Sequence, residues 1–204
     1  MTSFSLPVGR DVWSLDLPST AIVCDRTARV ASLESPRDRV RAALESSRGM
    51  DAPLRRALTP DDRVCVVLDE TLPHVAELLA GLFEHLGDGG IGPSAITVLT
   101  PPGSNGAWVE DLPDEFADVV LEAHDPTDRK KVAYLATTKA GRRVYLNRSL
   151  IEADAVVVVC GRNFDPVLGY SGAETALFPA LSDEETRAEF AGTFSPEPPV
   201  ADHP

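Results

Sequence analysis

The residues of this chain best suited to chemistry gather at three points, each directly after an apolar run. Asp69-Glu70-Thr71 follows Val64 to Leu68. Thr100-Pro101-Pro102-Gly103-Ser104-Asn105-Gly106 follows Ala95 to Leu99, and the long loop Gly161 to Thr175 follows Ala155 to Cys160. Carboxylates, hydroxyls and glycines at the C-terminal ends of buried strands are what open α/β sheets use to hold ligands. If the three strands are parallel neighbours, their loops converge on one crevice. The candidate lining is Asp69, Thr71, Gly103, Ser104, Asn105, Ser171, Gly172, Glu174 and Thr175.

Plainer roles compete with these. Asp69 or Thr71 serves equally well as a helix cap. The loops carry no glycine-lysine-serine phosphate motif, and Gly161 to Gly172 lacks the glycine spacing of a dinucleotide turn. Gly169-Tyr170-Ser171-Gly172 is not a nucleophile elbow, and no histidine is placed to serve it as a base. His74, His85, His124 and His203 are isolated, and no two share metal-ligand spacing, so the expectation is surface or structural roles and no metal site. His124, at a strand end, is the one that could face the crevice. Cys24, Cys65 and Cys160 each sit in an apolar run and read as reduced, buried thiols rather than a disulfide framework.

The elements that must position these residues follow from periodicity. Strand-like runs occur at Ala21 to Cys24, Val64 to Leu68, Ala95 to Leu99, Asp118 to Leu121, Arg143 to Leu146 and Ala155 to Cys160. A helix is expected from Leu72 to Leu86, with Val75, Leu78, Leu79, Leu82, Phe83 and Leu86 on one face and a stop at Gly87 and Gly89-Gly90. Another should begin at Ser35, where Ser35-Pro36-Arg37-Asp38 has capping-box order and Val40, Ala43 and Leu44 would be its buried face. Continuous apolar strands alternating with helices predict an α/β fold, a mostly parallel, Rossmann-like sheet with helices on both faces. Residues 1–192 read as one α/β domain. Residues 193–204 read as an extended tail or a linker to a C-terminal domain, and the first 20 residues show no periodicity.

Composition narrows the partners. With 204 residues and 43% hydrophobic content the chain can bury a core, and its net charge of −13 argues against nucleic acid and anionic membranes. No apolar run reaches the roughly 20 residues of a membrane span, and no signal segment is evident, so the expected compartment is the cytoplasm.

Taken in order, Asp69-Glu70-Thr71-Leu72-Pro73, Pro102-Gly103-Ser104-Asn105, His124-Asp125-Pro126, Gly141 to Arg148, Glu152-Ala153-Asp154 and Gly169-Tyr170-Ser171-Gly172 resemble the N-terminal domain of the nickel-dependent lactate racemase family, over about residues 8 to 185. The resemblance implies a two-domain racemase or epimerase of 2-hydroxy acids. Two histidines would exchange a proton, and a nickel pincer nucleotide tethered to a lysine would accept and return a hydride. At the matching positions this chain has Leu72 for an arginine, Asn105 and Asp165 for the two histidines and Thr175 for the lysine. Asparagine is no proton-transfer base and threonine cannot form the lysine link, so the resemblance leaves Asp165 alone as the catalytic residue able to take a proton.

Three functions stay open. The first is a racemase-family domain that binds a small anionic or nucleotide-like ligand with altered or lost catalysis. The second is a non-catalytic binding or assembly module. The third is a competent racemase completed by a second domain. The expected partners are a small-molecule ligand and either a C-terminal domain or a second copy of the chain.

Overall fold

The computed structural model describes residues 2–8, 11–18, 20, 35–46, 52–165 and 169–192. The expected strand at Ala21 to Cys24, and the tail, lie outside them. The chain divides into two units, residues 1–34 and 35–204. The first contains an antiparallel ribbon of β1 (Thr2–Val8) and β2 (Asp11–Leu17), paired from Thr2 with Leu17 to Val8 with Asp11. The period-two alternation of both segments is visible in the sequence, so the expectation of an aperiodic start is corrected.

The second unit is built on a four-stranded parallel sheet. Its strands are β3 (Val64–Leu68), β4 (Ile96–Thr100), β5 (Val120–Ala123) and β8 (Ala155–Val159), in the order β5-β4-β3-β8. The strand pairs are parallel throughout. β3 is central and fully buried, and alternation divides its side chains between two cores. Val64, Val66 and Leu68 join Ile96 and Val98 on one face, whereas Cys65 and Val67 join Leu99 on the other.

The first face is covered by α2 (Val75–Asp88), whose Leu79, Leu82, Phe83 and Leu86 are at most 2% exposed. Burying each such side chain contributes roughly 1.5–3 kcal/mol. The predicted stripe is therefore present, with Leu78 only half-buried. The helix starts three residues later than periodicity suggests. Leu72 precedes Pro73, which disfavours helical backbone there, and His74 at φ 58° forms a left-handed entry.

Behind α2 packs α1 (Pro36–Glu45), with Val40 and Leu44 against the core and Ala43 exposed. Pro36 does open the helix, but Ser35 is left-handed at φ 53° and its side chain makes no cap, so the expected capping box is absent. Arg37 of α1 bonds Glu84 of α2, and Arg41 reaches Asp88 at 2.8 Å.

The other face is covered by Leu150 of α3 (Arg148–Glu152), by Ala176 and Leu177 of α4 (Ala173–Leu177) and by Leu181. Helices thus flank both faces, as the sequence predicts. The run Arg143 to Leu146 is strand β7 (Arg143–Asn147), paired antiparallel with β6 (Val132–Thr137) outside the main sheet. A short ribbon of β9 (Asn163–Asp165) and β10 (Gly169–Ser171) follows β8, and α5 (Glu184–Gly192) is the last described element. No helix among the described residues is long and apolar enough to cross a membrane.

Candidate functional site at the strand ends

Because β4 and β8 flank β3 in parallel, their C-terminal loops do meet at one end of the sheet. They form two cavities on either side of Asp69-Glu70-Thr71 rather than one crevice. The smaller, about 190 Å³, lies between the ends of β3 and β8 and the start of α4, and is lined by Asp69, Cys160, Asn163, Ser171, Gly172 and Thr175 among others. The larger, about 750 Å³, is bounded by Glu70, Thr71, His74, Asn105, Trp108 and Asp111.

In the smaller cavity the polar groups are held by the local backbone. Asp69 Oδ1 accepts from the Thr71 N–H at 3.0 Å and the Thr71 hydroxyl at 2.6 Å, closing a tight turn where β3 ends. The Thr71 hydroxyl is thereby spent on its neighbour. Ser171 donates to the Asn163 carbonyl at 3.4 Å across the β9–β10 ribbon. Thr175 Oγ1 accepts from the Gly172 N–H at 3.0 Å and donates to the Gly172 carbonyl at 2.9 Å, as an N3 residue reaching back over a helix start does. Cys160, half-exposed, has its thiol pushed up by burial and then by the charges of Asp69 and Glu174. Those two carboxylates therefore sit near one sulfur.

The larger cavity is organised by Glu70, which sequence reasoning left out of the site. Its Oε2 accepts from Ser104 Oγ at 2.6 Å and the Gly106 N–H at 3.4 Å, and its Oε1 accepts from the Asn105 N–H at 3.2 Å. The bond from Ser104, aided by those amides and the nearby Trp108 indole, holds the Glu70 carboxyl below the usual carboxylate range. The signal was present in the sequence: a carboxylate after a strand opposite a Gly-Ser-Asn-Gly loop, whose amides need an acceptor. The Asn105 side chain caps its own loop, accepting from the Ala107 N–H at 3.0 Å.

Of the predicted site residues, Asp69, Ser171, Gly172 and Thr175 come together at the smaller cavity, and Thr71 and Asn105 at the larger. Ser104 is joined to the latter only through Glu70. Gly103, in a left-handed turn at φ 85°, and Glu174, exposed on α4, line neither. The Asp165 backbone pairs with Gly169 in the ribbon; its side chain lies outside what the structure describes.

Two of the histidines, His85 and His124, are buried, whereas His74 lines the larger cavity and His203 lies outside the described residues. His124 is 2% exposed and turned away from the crevice, its Nε2 bonded to the Ser182 carbonyl at 2.9 Å. Its Nδ1 faces the Asn147 amide nitrogen at 3.3 Å, and that amide also donates to Glu122 at 2.8 Å. Among the described residues no group of three or more His, Cys, Asp or Glu is arranged to hold a metal ion.

A parallel α/β sheet with polar loops converging at its strand ends defines the class, an open α/β domain. Within that class the chain matches the family model of the lactate racemase N-terminal domain over residues 8–195 and belongs to that family. It is similar to the lactate racemase apoprotein from Thermoanaerobacterium thermosaccharolyticum, with a TM-score of 0.67 and 18% identity, covering 91% of this chain and 45% of that one. A protein from Thermotoga maritima is similar with a TM-score of 0.55 and 15% identity over 74% of this chain and 40% of its own. The chain thus spans less than half the length of either. No curated protein sequence matches it.

Proposed function

We propose that this domain binds a small polar ligand, anionic or nucleotide-like, across the two cavities at the ends of β3, β4 and β8, with racemase chemistry altered or lost. The observation that carries the reading is the smaller cavity, where Asp69, Asn163, Ser171 and Thr175 from three separate segments face one space of about 190 Å³. That volume is below the roughly 300 Å³ at which ligand pockets usually begin, so it suits one sugar ring or small acid rather than a whole nucleotide. Asp69 would accept from hydroxyls there. The rest of the ligand would extend into the 750 Å³ cavity beyond Thr71.

The residues present do not fit the lysine-tethered nickel pincer nucleotide that the family resemblance implies. At the lysine position stands Thr175, whose hydroxyl is engaged with Gly172. At one histidine position stands Asn105, an amide that accepts from its own loop and carries no titratable proton.

The edge strands support a covering partner, either a C-terminal domain or a second copy. Val120 and Leu121 of β5 are 49% and 46% exposed, which is costly for apolar side chains unless another surface meets them. A thermal-shift screen of nucleotides and sugar acids tests the ligand reading. A stabilising compound whose effect disappears in Ser171→Ala is the expected result, whereas no stabilisation by any member of the panel would refute it.

A further inference from the structure

The loop after β4 holds more than a lining for the larger cavity. The Ser104 hydroxyl and the Asn105 and Gly106 N–H groups converge on the Glu70 carboxylate from one side. Successive donors of this kind form an anion-binding nest. A fourth donor stands beside the set without a well-formed hydrogen bond: Trp108, 8% exposed and facing the same cavity, has a buried indole Nε1 that lies near enough to Glu70 to help hold its carboxyl down but has no partner at hydrogen-bond geometry among the described residues. A buried N–H left unpaired costs on the order of 1–3 kcal/mol, so native structures seldom leave one without a reason.

Glu70 serves this donor poorly because its carboxylate is tethered. It is anchored at the end of β3, and its two oxygens are already shared among three donors on the opposite loop. An untethered carboxylate in the same place is free to shift toward the indole and take all four.

We propose that Ser104, Asn105, Gly106 and Trp108 form a carboxylate-binding subsite and that Glu70 is its built-in competitor, occupying the nest until an acidic ligand displaces it. The inference rests on the ligand reading above for its biological sense, since it places the anionic end of the ligand in the larger cavity. Its geometry is independent of the smaller one. The planar, two-oxygen arrangement of Glu70 identifies the guest as a carboxylate. The displaced Glu70 side chain turns toward the open cavity, where water solvates its charge.

The test uses the full chain with Glu70→Ala and acetate as the probe, because acetate is the group the substitution removes. At ten times its dissociation constant acetate should raise the melting temperature of Glu70→Ala by about 4 °C, while wild type, with the nest filled, should not respond. In Glu70→Ala the Trp108 indole N–H resonance should move downfield as acetate binds. Adding Ser104→Ala should weaken acetate binding at least fivefold. An acetate response in Glu70→Ala no larger than in wild type overturns the proposal, as does tenfold tighter binding of phosphate, which would exclude a carboxylate guest. If Glu70→Ala does not fold, Glu70→Gln carries the same test, since its neutral amide offers the nest one acceptor oxygen in place of a charged pair and so competes less with acetate. Failure of both to fold at every acetate concentration makes Glu70 a loop staple and ends the idea. An acetate response beside an empty nucleotide and sugar-acid screen keeps the nest and removes the broader ligand reading, and the converse result does the opposite.

Discussion

The Thr175 hydroxyl is bonded twice to one residue, accepting from the Gly172 N–H at 3.0 Å and donating to the Gly172 carbonyl at 2.9 Å. This pair fixes the start of α4 against the smaller cavity. Thr175→Ala removes both bonds and leaves the Gly172 groups half-buried, so it should destabilise the fold by about 1 kcal/mol, as loss of a helix cap does. Thr175→Ser keeps the hydroxyl and should recover most of that. Urea unfolding midpoints of the two variants decide it, and equal midpoints would mean that the pair contributes nothing.

The crossing of α1 over α2 depends on a missing side chain. A Cβ on Gly81 would stand 2.4 Å from the Arg37 carbonyl oxygen, a backbone atom that cannot swing aside. Gly81→Ala should therefore cost about 1–3 kcal/mol as an overpacking substitution, despite alanine's better helix propensity. The same substitution at Gly87, which has open space around it and lies near the end of the same helix, should be neutral or slightly stabilising. Comparing the two unfolding free energies separates packing from propensity.

Those two glycines also show what was legible beforehand. Periodicity places α2 and its buried stripe, and continuous apolar runs place β3 as the fully covered strand, because both depend on local pattern alone. The left-handed backbone at Ser35 and His74 overrode cap chemistry that pattern reading takes at face value. The site was half legible. Strand ends named Asp69 and Ser171, but the pairing of Glu70 with Ser104 joins residues 34 apart, and only the parallel adjacency of β3 and β4 brings them into contact. Nor does sequence spacing distinguish a hydroxyl that is free from one already bonded, as at Thr71 and Thr175.

Two buried histidines predict a pH dependence with a definite sign. Burial is the main cause that holds both His124 and His85 below the ordinary 6.5. At His124 the geometry agrees, since a proton on Nδ1 would face the Asn147 amide hydrogens. As pH falls through 6.5 the unfolded chain takes up protons that the folded rings refuse, so stability that is complete above 6.5 is lost below it. Glu70 and Glu84, held down by Ser104 and Arg37, act later, losing their contribution only as pH drops below the carboxylate value of 4.5. The urea midpoint of wild type should accordingly decline between pH about 7.5 and about 5.5. His124→Gln should lower the midpoint at the upper pH but flatten the decline, and an unchanged slope would remove His124 from the account.

Cysteine chemistry offers a direct report on the smaller cavity. Burial, assisted by the Glu122 charge, pushes the Cys65 thiol up to about 12, so it should stay unlabelled by a thiol reagent in the native protein. Cys160 lines the cavity and is half-exposed, but burial and the charges of Asp69 and Glu174 raise its thiol too, so it should react slowly. In a Cys24→Ser background, which leaves Cys65 and Cys160 as the only thiols of the chain, native labelling then reads Cys160 alone. Asp69→Asn and Glu174→Gln each remove a negative charge beside the sulfur and should speed the reaction a few-fold by raising the thiolate fraction. A ligand seated between Asp69 and Ser171 must cover the same sulfur, so any compound that stabilises the protein through this cavity should slow Cys160 labelling in proportion to its occupancy. A compound that raises the melting temperature while leaving that rate untouched binds elsewhere, and the smaller cavity would then lose its assignment.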